Sequence, residues 1–308
     1  MGLGENSHGK SRVRVAKVVR HGDGTQEIHE YNVAIQLYGG TERSFTHGDN
    51  SMVVATDTCK NHVYLLAKQH SMSSPEQFAL DLADRFLDTY AFVTQVRVRV
   101  AKAPWQRVAI GDVPHRHGFV RGSGTHAAEV HVVRGSGVRT HGREAHHVAE
   151  LLSKLEHVDV LKTTQSGWDA FLQDKYTTLP PTTERLLATT VECTWKVDLK
   201  TLGTRTFDYA ALFELVKRTL FESFFGNPFT GVYSPGVQAT MYAMGEAVLQ
   251  RAPHVTSVTF SLPNIHFLPC NIPAFAKAGI AFDDDVYIPT DEPHGLIKCT
   301  VTRATSKL

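Results

Sequence analysis

The stretch VTSVTFSLPNIHF, Val255 to Phe267, alternates apolar and hydroxyl-bearing residues and then runs into a proline, an amide and an imidazole. Alternation with a period of two reads as a half-buried β-strand. On an extended backbone, residues two apart share one face, so Asn264 and His266 project together from the strand's end. An amide and an imidazole converging there suit a polar pocket wall better than a core. Pro263 has no N–H for a ladder, so regular pairing is expected to stop, or to lie at an edge, at that point.

The same grammar extends outward. Arg12 to Arg20 alternates valine with basic residues, Asp23-Gly24 marks a turn, and His29 to Leu37 reads as the returning strand. Asn61 to Gln69 is a candidate short helix. Ser74-Pro75-Glu76 opens a second, with Ser74 as N-cap, Pro75 at the first position and Phe78, Leu82, Phe86 and Leu87 on one face. Val93 to Val108 reads as a strand, and Phe119-Val120 with Ala128 to Val133 supplies the last strand of this half. The second half repeats the order: strands at Val158 to Lys162 and Leu186 to Val197, helices at Asp208 to Phe225 and Ser234 to Arg251, and strands at Val255 to Phe267 and Leu296 to Thr302. The loops from Gly135 to Leu155 fit no clear pattern. The chain thus reads twice as strand-strand, helix-helix, strand-strand. Antiparallel hairpins with helices on one face make an α+β layer, and two four-stranded sheets with open edges predict closure by pairing between domains or subunits. Two domains are expected for this length, 1–148 and 149–308.

Composition narrows the function. The 308 residues carry 32 Lys plus Arg against 31 Asp plus Glu, a net charge of +1, so no broad basic field is offered to nucleic acid. No apolar run approaches the roughly 20 residues of a membrane span. Met1 to Lys10 is polar and Gly-rich, without the apolar core of a secretory signal, so export is not expected. Cys59, Cys193, Cys270 and Cys299 are far apart and read as reduced, packed thiols. The 17 histidines are densest at His115-Arg116-His117 and His146-His147. Neither has zincin spacing, and the intervening arginine disfavours a dication, so no metal is expected. Gly122-Ser123-Gly124 and Gly135-Ser136-Gly137 lack the strand-glycine-helix context of a nucleotide loop. The final Ser306-Lys307-Leu308 matches a receptor-read peroxisomal address.

Four polar sites each admit a plain and a chemical reading. Thr56-Asp57-Thr58 either caps the following helix or turns Thr56 and the Asp57 backbone N–H toward an anionic group. Trp168 is either core or a flat platform for a planar heterocycle. Arg185 is either solvated or a bidentate fork for a urea-like edge. Gln238, after Ser234-Pro235-Gly236-Val237, is either helix surface or a donor-acceptor pair for a ring amide, with the Val237 N–H beside it.

Together these segments resemble the urate oxidase (uricase) family over nearly the whole chain. The resemblance is carried by His8-Gly9-Lys10; Asp49-Asn50-Ser51 through Val54-Ala55-Thr56-Asp57-Thr58 to Lys60-Asn61; Leu161 to Gly167; Asp174 to Leu179; Val237-Gln238; and Ser261 to Phe267. The tail from Asp283 to Gly295 and the final tripeptide look most like the plant and algal branch. The resemblance implies two tandem tunnelling-fold (T-fold) domains, each an antiparallel four-stranded sheet with two helices on one face, in a homotetramer around a tunnel. It implies oxidation of urate by O2 and water to 5-hydroxyisourate and H2O2 without a cofactor, in a site shared between subunits. It casts Lys10, Thr56 and His266 as a proton relay and Arg185 and Gln238 as the clamp on the purine edge. Asp57 and Val237 supply main-chain N–H groups, and Asn264 helps to hold O2 or water above the ring. Trp168 stands where the family usually has phenylalanine and enlarges the stacking surface. Lys10, Thr56 and Asp57 would come from one protomer and the rest from a neighbour. The implied location is the peroxisome, reached through the import receptor. Two alternatives accompany this expectation: a non-catalytic purine-binding protein, and a pterin-type metal-dependent enzyme on the same fold.

Overall fold

A computed structural model describes residues 2–135, 146–199 and 207–303. The chain divides into two compact units, one of Met1–Glu156, Thr194–Glu214 and His254–Thr256, the other of His157–Cys193, Leu215–Pro253 and Ser257–Leu308. The Ser306-Lys307-Leu308 address and residues 136–145 lie outside the described residues.

The first unit opens with β1 (His8–Arg20) and β2 (Gln26–Tyr38), followed by α1 (Glu42–His47), α2 (Thr56–Gln69) and α3 (Pro75–Thr89). Then come β3 (Gln95–Lys102), the hairpin β4 (Trp105–Ile110) and β5 (Val113–Arg121), β6 (Thr125–Val133) and β7 (His147–Lys162). The sheet order is β1-β2-β3-β6-β7, all antiparallel. Register explains the core: Ile35, Val98, Val130 and Leu151 form one row across four strands, and all are buried. Phe78, Leu82, Phe86 and Leu87 of α3 are buried too, so α3 covers this face as its periodicity requires. The alternate residues carry charge, with Arg99 paired to Glu129 and Glu156, and Lys154 to Glu129. Ser74 is the N-cap of α3, accepting from the Gln77 N–H at 3.2 Å.

Four expectations need correction here. Phe119-Val120 and Ala128 to Val133 belong to two strands, not one, because β5 pairs with β4 while β6 pairs with β3 and β7. Val93 to Val108 is two strands rather than one, because Pro104, with no N–H to give, follows β3. The first long helix starts at Thr56, not Asn61. Part of the patternless Gly135 to Leu155 region is strand: β7 starts at His147, because pairing with β6 from Val133↔His147 to Thr125↔Glu156 overrides a sequence with no clean alternation.

In the second unit, the end of β7 adjoins β8 (Leu187–Val197), and β8 adjoins β9 (Val255–Pro269). The helices are α4 (Tyr209–Phe225), α5 (Val237–Arg251) and the short α6 (Pro273–Lys277). β9 pairs with β11 (Leu296–Thr302) from Thr302↔Ser257 to Leu296↔Pro263, then with β10 (Tyr287–Thr290) from Thr290↔His266 to Tyr287↔Pro269. Pro263 therefore marks a change of partner: pairing with β11 ends there and the strand runs on. Val258, Phe260, Leu262 and Val301 are buried, and α5 packs on β11 through a face that includes Met241, Met244 and Val248. The α+β class read from the sequence is the class observed. Among the described residues, no helix is long and apolar enough to cross a membrane.

Candidate active site

In the first unit, Lys10 Nζ lies 3.5 Å from Thr56 Oγ1. Several local features bring them together. His8 Nε2 donates to the Val54 carbonyl at 3.1 Å, fastening the start of β1 beside the segment that enters α2. Gly9 permits the close approach: a Cβ there would lie 1.9 Å from the Ile35 carbonyl oxygen. The register slips between Lys10 and Val13, with Arg12 at φ 58°, so β1 bends just beyond the lysine. Burial lowers the His8 pKa below the usual imidazole value, although the Val54 carbonyl opposes the shift. Lys10 also borders a cleft of about 600 Å³ lined in part by Gln36, Arg97, Arg99 and His131.

Thr56 is the first residue of α2 and Asp57 the second, both exposed. The capping reading fails: the N-cap is Ala55, which has no side chain able to cap. The Asp57 carboxylate instead takes Lys60 Nζ at 2.5 Å and Asn61 Nδ2 at 3.1 Å, and these hydrogen bonds lower its pKa. The first N–H groups of α2, that of Asp57 among them, precede the first intrahelical acceptors, take no side-chain cap among the described residues and lie at the positive end of the helix.

In the second unit, Trp168, Arg185 and the start of α5 are laced together by backbone. The Trp168 N–H donates to the Thr182 carbonyl at 2.7 Å and the Thr182 N–H returns the bond at 2.9 Å. The Arg185 N–H donates to the Ser166 carbonyl at 2.8 Å. The guanidinium carbon lies 5.8 Å from the Trp168 ring centroid, and that ring stacks on Phe171 at 5.6 Å with an interplanar angle of 11°. Arg185 is partly buried, which lowers its pKa, and its Nε is a buried donor without a partner among the described residues. Gly236, the N-cap of α5, lies against the indole: an added Cβ would be 2.8 Å from Trp168 Cζ3. Val237 and Gln238 form the first turn of α5, again without a side-chain cap. Val237 is buried and Gln238 exposed.

Asn264 and His266 lie two apart in β9, both half-buried. The Asn264 N–H donates to the Gly295 carbonyl at 2.8 Å, and His266 is paired with Thr290. Among the described residues, no hydrogen bond joins either side chain to the Trp168–Arg185–Gln238 group. Two contributors were given no site role in the sequence reading. Ser234 ties Gln165 and Gly167 to the approach of α5, and Lys162 holds Ser234. A lysine closing an apolar strand was the available signal. No group of three or more His, Cys, Asp or Glu residues that could hold a metal ion occurs among the described residues.

What the arrangement offers is a lysine-hydroxyl pair at the head of an uncapped helix, and an arginine above a flat indole beside a second uncapped helix. The first can move a proton; the second can grip a flat anion. Comparison with known proteins adds to this geometry. A family model described as Uricase matches residues 6–131 and 152–298. The Uricase of Arabidopsis thaliana is 43% identical over 310 residues, covering 99% of this chain and 97% of the relative. The Uricase of Oryctolagus cuniculus is 35% identical over 300 residues, covering 97% and 94%. The crystal structure of uricase from Arthrobacter globiformis superposes with a TM-score of 0.84 at 34% identity, covering 100% of this chain and 97% of that one.

Proposed function

The chain belongs to the uricase family, and from that premise we propose how its residues divide the work. It is an enzyme of the tunnelling fold that oxidises urate: urate, O2 and H2O give 5-hydroxyisourate and H2O2. Family membership does not favour the binding-protein or metal-dependent alternatives.

Urate is an electron-rich conjugated anion. Once deprotonated, it can pass electrons to dioxygen without an intervening metal or flavin. What the protein must supply is position and proton handling. Arg185 and Gln238 clamp the purine edge, and Trp168 lies under the ring. Val237 and Asp57 present main-chain N–H groups. Lys10 removes or relays a proton through the Thr56 hydroxyl, and His266 positions the ammonium or passes the proton on. Oxygen adds to the ring as a hydroperoxide, and water held near Thr56 and Asn264 displaces it as H2O2. The ring gains a hydroxyl and O2 is reduced by two electrons.

The observation that carries this reading is the Lys10 Nζ to Thr56 Oγ1 approach at 3.5 Å, at a helix start left uncapped. Lys10, Thr56 and Asp57 share the first unit, and the remaining site residues lie in the second. That division supports a site completed between protomers of a homotetramer, in which an isolated protomer is inactive. The repeated order of strands and helices supports tandem domains at 1–148 and 149–308. Ser306-Lys307-Leu308 supports import into the peroxisome, where the H2O2 would be removed. The test is oxygen uptake with urate by metal-stripped enzyme. Full turnover is expected, whereas loss on chelation with recovery on adding a divalent metal would overturn the cofactor-free scheme.

A further inference from the structure

We infer that Lys162 is a positioning residue for the purine edge, its ammonium fixing the turn from which α5 presents Val237 and Gln238. This deepens the site reading above and rests on it. Lys162 closes β7 and is only 7% exposed. Its Nζ donates to Ser234 Oγ at 2.6 Å and to the Val232 carbonyl at 2.9 Å, and it lies 5.1 Å from the Phe224 ring centroid. No carboxylate among the described residues pairs with it, and burial lowers its pKa. A buried cation is costly unless it is well bonded, and the usual compensation is an acid. Here the compensation is a hydroxyl, a carbonyl and an aromatic face. A methionine would fill such a place in a core at lower cost, so the charge needs a reason.

The reason lies in what Ser234 connects. Its N–H donates to the Gln165 carbonyl at 2.9 Å and its carbonyl accepts from the Gly167 N–H at 3.0 Å. Trp168 follows on one side of this bridge, while Pro235, Gly236 and the first turn of α5 follow on the other. One ammonium therefore steadies both walls around the Trp168 ring. It also adds positive charge to a corner where Arg185 already lies without a carboxylate partner among the described residues. That suits an anionic ligand.

The test compares full-length K162M, K162R and S234A with R185A. It uses the Kd for 8-azaxanthine and the steady-state kinetics with urate. K162M is expected to raise Kd and KM about ten-fold, the scale of a lost charge-assisted hydrogen bond, with kcat falling less than about three-fold because proton transfer is assigned to other residues. K162R, which keeps the charge and donors, is expected to recover most of the affinity, and S234A to raise Kd by about three-fold. A purely structural lysine would lower the melting temperature or the folded yield while leaving the Kd of the folded enzyme unchanged, and that outcome overturns the inference. If K162M does not fold, S234A decides: unchanged Kd overturns the inference, and weakened binding supports it. R185A separates the two levels of argument. If R185A leaves Kd unchanged, the site reading itself fails. If R185A weakens binding and K162M does not, only the role of Lys162 is wrong.

Discussion

Helices α2 and α3 follow one another in the first unit, and their starts are built on opposite plans. At α3 the Ser74 hydroxyl accepts from the Gln77 N–H and Pro75 removes a donor that would go unmet. At α2 the N-cap is Ala55, with no side-chain bond, although Thr56 and Asp57, both good capping types, stand one and two places too late. Asp57 turns its carboxylate to Lys60 and Asn61 instead. α5 follows the α2 plan, with Gly236 as an uncapped N-cap. Capping stabilises a helix by about 1 kcal/mol. The short α1 and α6 also start without a side-chain cap. Of the long helices, α4 has Asp208 accepting from the Ala211 N–H, and α2 and α5, both carrying residues assigned to ligand contact, are the ones left open, which fits donors kept for a ligand. α3, whose start is assigned no ligand, is closed.

The strongest way to break this contrast is at the lysine beside the open start of α2. K10M is expected to lower kcat by about 10²–10⁴-fold, the usual scale of a lost proton-transfer group, while the Kd for 8-azaxanthine changes less than about two-fold. Stopped-flow or oxygen-electrode rates, set beside an equilibrium titration, measure both. Equal losses in kcat and affinity would make Lys10 a binding residue and leave the open helix start without its proton carrier.

A second substitution converts one plan into the other. A55D supplies the missing cap to α2. Its carboxylate should take the N–H groups of the first turn and set a negative charge where an anion is meant to lie. The enzyme should melt higher and bind 8-azaxanthine about ten-fold more weakly, a 1.4 kcal/mol change in binding. A55S, with the cap but no charge, should fall between A55D and the parent. Binding unchanged in both variants would show that the first-turn donors are not used.

Much of this was legible in the sequence because periodicity reports burial. β11 was read residue for residue at Leu296–Thr302, and the buried face of α3 followed from Phe78, Leu82, Phe86 and Leu87. The start of α2 was not legible. Thr56-Asp57-Thr58 is equally good as cap or as first turn, and only the backbone of Ala55 decides. β7 was hidden for another reason. Ala149, Leu151, Leu152 and Leu155 do not alternate cleanly, so pairing with β6, a tertiary effect, had to choose strand. In the site, the assigned residues came from ordered motifs. Lys162 was missed because a lysine at a strand end is ordinarily solvent-exposed, and its burial depends on Ser234, 72 positions away in sequence.

The capped helix gives a smaller and purely structural expectation. S74A removes the acceptor for the Gln77 N–H and should cost about 1 kcal/mol, a drop of roughly 2–4 °C in melting temperature for a domain of this size. Because α3 holds no assigned site residue, kcat and KM should stay as they are. Calorimetry and initial rates on one preparation check both halves. A fall in activity in the folded protein would mean that the closed helix also serves the site, and the contrast with α2 would lose its meaning.

The smallest effect concerns how the open start is held in place. His8 fastens β1 to the Val54 carbonyl through Nε2, and its other ring nitrogen, Nδ1, is buried with no partner among the described residues. The ring is therefore suited to the neutral form, and burial holds its pKa in the folded protein below the usual imidazole value. The sign follows from which form folding prefers. Well above the usual imidazole pKa of about 6.5, the ring is neutral whether the chain is folded or not, and the contribution is fully present. As pH falls from there through the lower folded value, the unfolded chain takes up the proton first and stability is lost. Glutamine at this position can donate from an amide nitrogen to the Val54 carbonyl and cannot be protonated in this range. H8Q should therefore match the parent in melting temperature and kcat/KM near neutral pH, and lose less of both as the pH is lowered. Because α2 keeps its Ala55 start in this variant, any acid sensitivity that H8Q removes belongs to the His8 fastening and not to the donors at the helix end. If the parent and H8Q profiles coincide, the fastening tolerates the charged ring, and some other contact sets the distance between Lys10 and Thr56.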